Sequence, residues 1–123
     1  MENMNICVLL TSVGGLVAPG IIENLRRIPE VSRIVGVDAS SDAIGFFMVD
    51  KSYVVPRGDE NGYMDVLWSI IKAESVNLII PASDEEVLTL SSHFNKKFRK
   101  SWIRYAGIKT VKGNKVILYP CWY

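Results

Sequence analysis

At 123 residues the chain has room for one domain and one core. Apolar residues at 49% and charged residues at 22% exclude a disordered chain. Fourteen Lys and Arg against thirteen Asp and Glu leave a net charge of +1, so no bulk electrostatic term favours nucleic acid or an anionic membrane, and neither is an expected partner.

The N-terminus, Met1-Glu2-Asn3-Met4-Asn5, carries an acid rather than a basic leader. No apolar run reaches the roughly 20 residues that a membrane helix needs. A cytoplasmic protein is the expectation. Cys7 and Cys121 are too few and too far apart for a disulfide framework or a metal site, and Cys7 reads as a small core residue.

Ile6-Cys7-Val8-Leu9-Leu10 is a continuous apolar run, as expected of a parallel strand covered on both faces. Val13-Gly14-Gly15 makes a turn. Val17, Ile21, Ile22, Leu25 and Ile28 then fall at helical spacing, with Pro19 tolerated in the first turn and Pro29 marking the end. Ile34-Val35-Gly36-Val37-Asp38 is a second buried strand, so residues 6–38 form a βαβ unit.

Residues 43–49 suit a short helix, and Ser52-Tyr53-Val54-Val55 a short strand stopped by Pro56. A polar loop over residues 57–62 leads to an amphipathic helix over 63–72. Residues 76–81 read as a strand. Residues 82–86 then open a helix running towards Phe94, with Ser83 and Glu86 spaced as a capping box. This alternation predicts an α/β, Rossmann-like, doubly wound parallel sheet in three layers. Residues 103–111 and 115–119 are strand-like pieces flanking a Gly113-Asn114 turn, expected to form a C-terminal strand or hairpin extension. The expected division is a Rossmann-like domain over 1–102 with its extension over 103–123. Edge pairing of that extension, together with Trp122 and Tyr123, offers a route to a homodimer.

Three loops at strand ends could bind a ligand. Gly14 and Gly15 let the backbone approach an anion at a helix start. However, Leu16 stands where a dinucleotide fingerprint has its second glycine. A plain tight turn is the alternative. Asp38 ends the second strand, where dinucleotide-binding domains hold a ribose hydroxyl, and a local cap with Ser40 and Ser41 is the alternative. Ser83, Asp84 and Glu85 could face the same crevice, with helix capping as their other role. His93, the single histidine, reads as a surface residue rather than a catalytic or metal-binding one. Lys96, Lys97, Arg99, Lys100 and Arg104 read as a solvated helix end rather than a nucleic-acid face.

The order of these pieces resembles a known family. The strand ending Leu9-Leu10-Thr11-Ser12-Val13-Gly14-Gly15, then Ala18-Pro19-Gly20-Ile21-Ile22 and Val35-Gly36-Val37-Asp38, is similar to the start of carbamoyl-phosphate-synthase-like ATP-grasp ligases. Asp50-Lys51-Ser52-Tyr53-Val54-Val55-Pro56 and Leu78-Ile79-Ile80-Pro81-Ala82-Ser83-Asp84-Glu85-Glu86 continue the likeness, which covers residues 5 to about 95. The resemblance implies a pre-ATP-grasp domain that shapes an acceptor-substrate pocket beside an ATP-grasp domain or a separate ATP-grasp chain. Gly14, Gly15, Asp38, Ser83, Asp84 and Glu85 match the pocket positions. ATP and Mg are implied only for the full-length family enzyme, with no cofactor, metal or catalytic residue expected on this chain alone. From Lys112 onward the likeness ends, as a truncated gene, a split subunit or an expressed fragment would produce. The alternative function is a small Rossmann-type binding protein for a nucleotide or dinucleotide.

Overall fold

The computed structural model describes residues 5–94, 107–111 and 114–118. In chain order the elements are β1 (Ile6–Leu10), α1 (Ala18–Arg26), β2 (Val31–Asp38), a short 3-10 helix (Ile44–Phe47), β3 (Lys51–Val54), α2 (Tyr63–Glu74), β4 (Leu78–Ile80), α3 (Asp84–Phe94), β5 (Gly107–Val111) and β6 (Asn114–Leu118). They build one sheet in the order β3-β2-β1-β4-β6-β5. β3, β2, β1, β4 and β6 run parallel, and β5 closes one edge antiparallel to β6.

Successive side chains of a strand emerge on opposite faces, so a strand buried on both sides feeds two cores. Cys7 and Leu9 of β1, with Val35, Val37 and Ile79, pack against Tyr63, Leu67, Ile70 and Ile71 of α2 and Leu90 of α3. Val8 and Leu10, with Ile34 and Ile80, pack against Ala18, Ile22 and Leu25 of α1. The sheet therefore lies between two helical layers, the α/β doubly wound arrangement that the alternating pattern predicts. No helix among the described residues is long and apolar enough to cross a membrane.

Several boundaries differ from the periodicity. β2 starts at Val31, because the Ser32 hydroxyl donates to the Ile6 carbonyl and Arg33 pairs with Glu74 at 2.9 Å, so polar residues serve as strand. β4 is limited to Leu78–Ile80 because Asn77 ties its side chain to β1, accepting the Cys7 N–H at 2.9 Å. α1 carries Pro19 in its first turn and ends at Arg26, three residues before Pro29. Asn114 begins β6, opposite Val111. Asn114 is therefore strand rather than part of the predicted Gly113-Asn114 turn. The basic cluster of residues 96–104, Cys121 and the terminal aromatic pair lie outside the described residues.

Candidate functional site

β1, β2 and β4 are adjacent and parallel, so the chain leaves all three at the same edge of the sheet, where ligands of open α/β sheets bind. Backbone bonds knit these exits together. Thr11 N–H donates to the Ile80 carbonyl and Val13 N–H to the Val37 carbonyl, both at 3.2 Å. The buried Thr11 hydroxyl accepts the Ala82 N–H at 3.0 Å. Between these loops lies an open cleft of about 370 Å³ whose lining includes Ser12, Asp38, Arg57, Ser83, Glu85 and Glu86. A depression of about 340 Å³ lies at the start of α2, lined by the loop that follows β3, and its carboxylates Asp59, Glu60 and Asp65 are exposed. His93 lines that depression, exposed, with Nδ1 2.9 Å from the Thr89 carbonyl.

Of the residues singled out from sequence, Asp38, Ser83 and Glu85 line the rim cleft, while Gly14, Gly15 and Asp84 are not among its lining residues. Gly14 sits next to it, donating its N–H to Asp38 Oδ2 at 2.8 Å. A Cβ on Gly14 would stand 3.0 Å from that oxygen, so the glycine serves close approach between two strand exits. Asp38 Oδ1 accepts the Ser40 N–H at 2.9 Å, so the residue is a loop cap that also faces the cleft. Ser83 accepts the Val87 N–H on its carbonyl at 3.0 Å, the first helical bond of α3.

These bonds decide what the glycine loop can hold. Gly14 N–H is engaged by Asp38, Gly15 N–H by the Ser12 carbonyl at 2.9 Å, and Ala18 N–H by the Gly15 carbonyl at 3.4 Å. Pro19 has no N–H to offer, and Ile21 N–H is engaged by the Val17 carbonyl. A phosphate needs several free amides converging at a helix start, and here the amides of both glycines are already engaged. Neither glycine of the loop has its N–H free for a nucleotide pyrophosphate.

The residue that stands out is one the sequence pattern assigns to capping. Glu86 is 9% exposed, and its Oε1 accepts the Ser12 hydroxyl at 2.6 Å across the sheet edge. Its Oε2 has no partner. Burial pushes the Glu86 carboxyl up to about 7; the Ser12 and Ser83 hydroxyls oppose the rise, and the Asp38 and Glu85 carboxylates add to it. Ser12 holds a left-handed backbone with φ of 52°, unusual for a residue with a side chain and most often retained at functional sites. Tyr63 is also buried with an unpartnered hydroxyl, and burial together with the nearby Glu86 charge pushes its phenol up. Arg57 stands exposed, 3.4 Å from Glu85 and 3.7 Å from Asp59.

Sequence reasoning missed Ser12, Arg57 and Glu86 as cleft residues. For Ser12 the available signal was its place directly after a buried strand. For Glu86 the spacing from Ser83 pointed to a local partner and concealed a distant one.

Comparison with known proteins bears on this rim. The model of the family described as PylC-like, N-terminal domain, matches residues 8–105, a span that contains every cleft residue named above. No curated protein matches the sequence.

Proposed function

This chain belongs to the PylC-like N-terminal domain family, the pre-ATP-grasp domain of ATP-grasp ligases, and from that premise we propose that it forms one wall of a substrate pocket and performs no chemistry alone. The wall is the cleft at the exits of β1, β2 and β4. The partner is an ATP-grasp domain, on the same or a separate chain, in a carbamoyl-phosphate-synthase-like carboxylate–amine ligase of the cytoplasm. The observation that carries this reading is the concentration of Ser12, Asp38, Ser83, Glu85 and Glu86 on one open rim.

ATP and Mg belong to the ATP-grasp partner, where they would supply an acyl phosphate. The rim residues orient the other substrate and exclude water. Residues 1–102 form the pre-ATP-grasp unit in this reading, and 103–123 extend it, in keeping with β6 pairing directly on β4. β5 is an edge strand, so its outer side is the place for a homodimer contact. Solution mass unchanged on deleting residues 112–123 would remove that contact from consideration.

The test of function is ATP turnover. These 123 residues alone should release no ADP or phosphate above background. Turnover by the isolated chain would overturn the proposal.

A further inference from the structure

We propose that Asn61 is a site of spontaneous covalent modification, losing its side-chain amide through attack by the Gly62 backbone nitrogen to leave aspartate or isoaspartate at the head of α2. The inference goes beyond the substrate-wall reading and does not depend on it, since Asn61 is not among the residues that line the rim cleft.

The reaction needs a side-chain amide carbon that the next residue's nitrogen can reach. Asn61 is followed by glycine, as no other asparagine of the chain is, so no Cβ shields the attacking nitrogen. Both residues are exposed. Among the described residues the Asn61 side chain has no hydrogen-bond partner and the Gly62 N–H has no acceptor, so neither reacting group is held back. Gly62 holds φ of 90°, and a Cβ built there would meet nothing within 4 Å, which leaves open space for a cyclic imide and for water. The other described asparagines lack this combination. Asn77 is tied to the Cys7 N–H at 2.9 Å and to the Asn5 carbonyl at 3.1 Å. The nitrogen that follows Asn5 is engaged, Ile6 N–H donating to the Glu30 carbonyl at 2.7 Å. Asn24 lies inside α1 ahead of the buried Leu25, and Asn114 is paired in β6.

A solvent base takes the Gly62 N–H proton, and the freed nitrogen bonds to Asn61 Cγ. The Cγ–Nδ2 bond breaks and the leaving nitrogen takes a proton back, departing as ammonia. Water then opens the cyclic imide. Cleavage between Gly62 N and Cγ gives aspartate, whereas cleavage between Gly62 N and the Asn61 main-chain carbonyl carbon gives isoaspartate, with the chain running through the side chain. Either product adds a carboxylate beside Asp59, Glu60 and Asp65 in the depression at the start of α2. The positive end of the helix favours the aspartate. Isoaspartate instead lengthens the main chain inside the turn closed by Tyr63 N–H and the Glu60 carbonyl at 3.3 Å, which seats the buried Tyr63.

The test is incubation of the full chain in mildly alkaline buffer at body temperature, with charge variants separated by anion exchange and every asparagine scored by peptide mass mapping. The expected result is a more acidic species that has lost the Asn61 amide while Asn5, Asn24, Asn77 and Asn114 keep theirs. Its formation should quicken as pH rises, because base frees the Gly62 nitrogen. Asn61→Ser removes the reacting amide at an exposed position and should yield no such species. The proposal is overturned if Asn61 keeps its amide, if Asn5, Asn24 or Asn77 converts as fast, if the rate does not rise with pH, or if Asn61→Ser gives the same acidic species.

Discussion

Replacing Glu86 by Gln should make the protein more stable at neutral and alkaline pH, which is unusual for the loss of a charged residue at a candidate site. The carboxyl rises from its ordinary 4.5 to about 7 on folding, so between those values the folded chain binds a proton that the unfolded chain releases. Stability from this group is fully present below about pH 4.5 and is lost as pH rises through about 7. At roughly 1.4 kcal/mol per pH unit, the interval corresponds to about 3 kcal/mol, with little solvent discount because the residue is 9% exposed. Gln keeps an oxygen to accept the Ser12 hydroxyl and has no charge to bury. Glu74, held below the ordinary carboxylate range by the Tyr53 hydroxyl and by Arg33, titrates at lower pH and is common to both proteins. Urea denaturation across this pH range should show the parent losing about 3 kcal/mol relative to Glu86→Gln, with the curves parallel above about pH 8. A stability difference between the two proteins that does not change with pH would refute the reasoning.

Gly45→Ala should cost about 2–3 kcal/mol in chemical denaturation, since a Cβ there would lie 2.1 Å from the Val13 carbonyl oxygen and force the 3-10 helix off the β1 exit loop. Asp50→Ala should cost about 1–3 kcal/mol by the same measurement, because its Oδ2 accepts both the buried Ile34 N–H at 2.7 Å and Arg26 Nη1 at 2.8 Å. NAD and NADP should leave the thermal midpoint unchanged, because the amides of Gly14 and Gly15 are engaged within the loop; a clear upward shift would favour a dinucleotide-binding module.

The parallel βαβ core was legible because its strands are continuous apolar runs, a pattern that only a sheet covered on both faces requires. Ile6-Cys7-Val8-Leu9-Leu10 divides between two helical layers as its alternation dictates. Position at a strand end also located Asp38, Ser83 and Glu85 on the rim, since parallel strands share their exit edge. What periodicity does not carry is pairing between distant residues. The Ser12–Glu86 bond joins positions 74 apart, and nothing local distinguishes it from the capping pattern around Ser83. Likewise, Gly14 suggests an open anion loop until its N–H is seen to be bonded to Asp38, 24 residues away. Asn77 shortened β4 for a similar reason, since its side chain bonds to a strand far earlier in the chain.

The claim that the exits of β1, β2 and β4 form a wall completed by another domain is tested most directly by amide mapping. The chain is titrated with the ATP-grasp domain of a PylC-like ligase and the perturbed positions are located. Perturbation centred on Ser12, Asp38, Arg57 and Glu86 is the predicted result. Perturbation confined to the opposite edge of the sheet, around Val31, Lys51 and Asn77 where the strands begin, would contradict it.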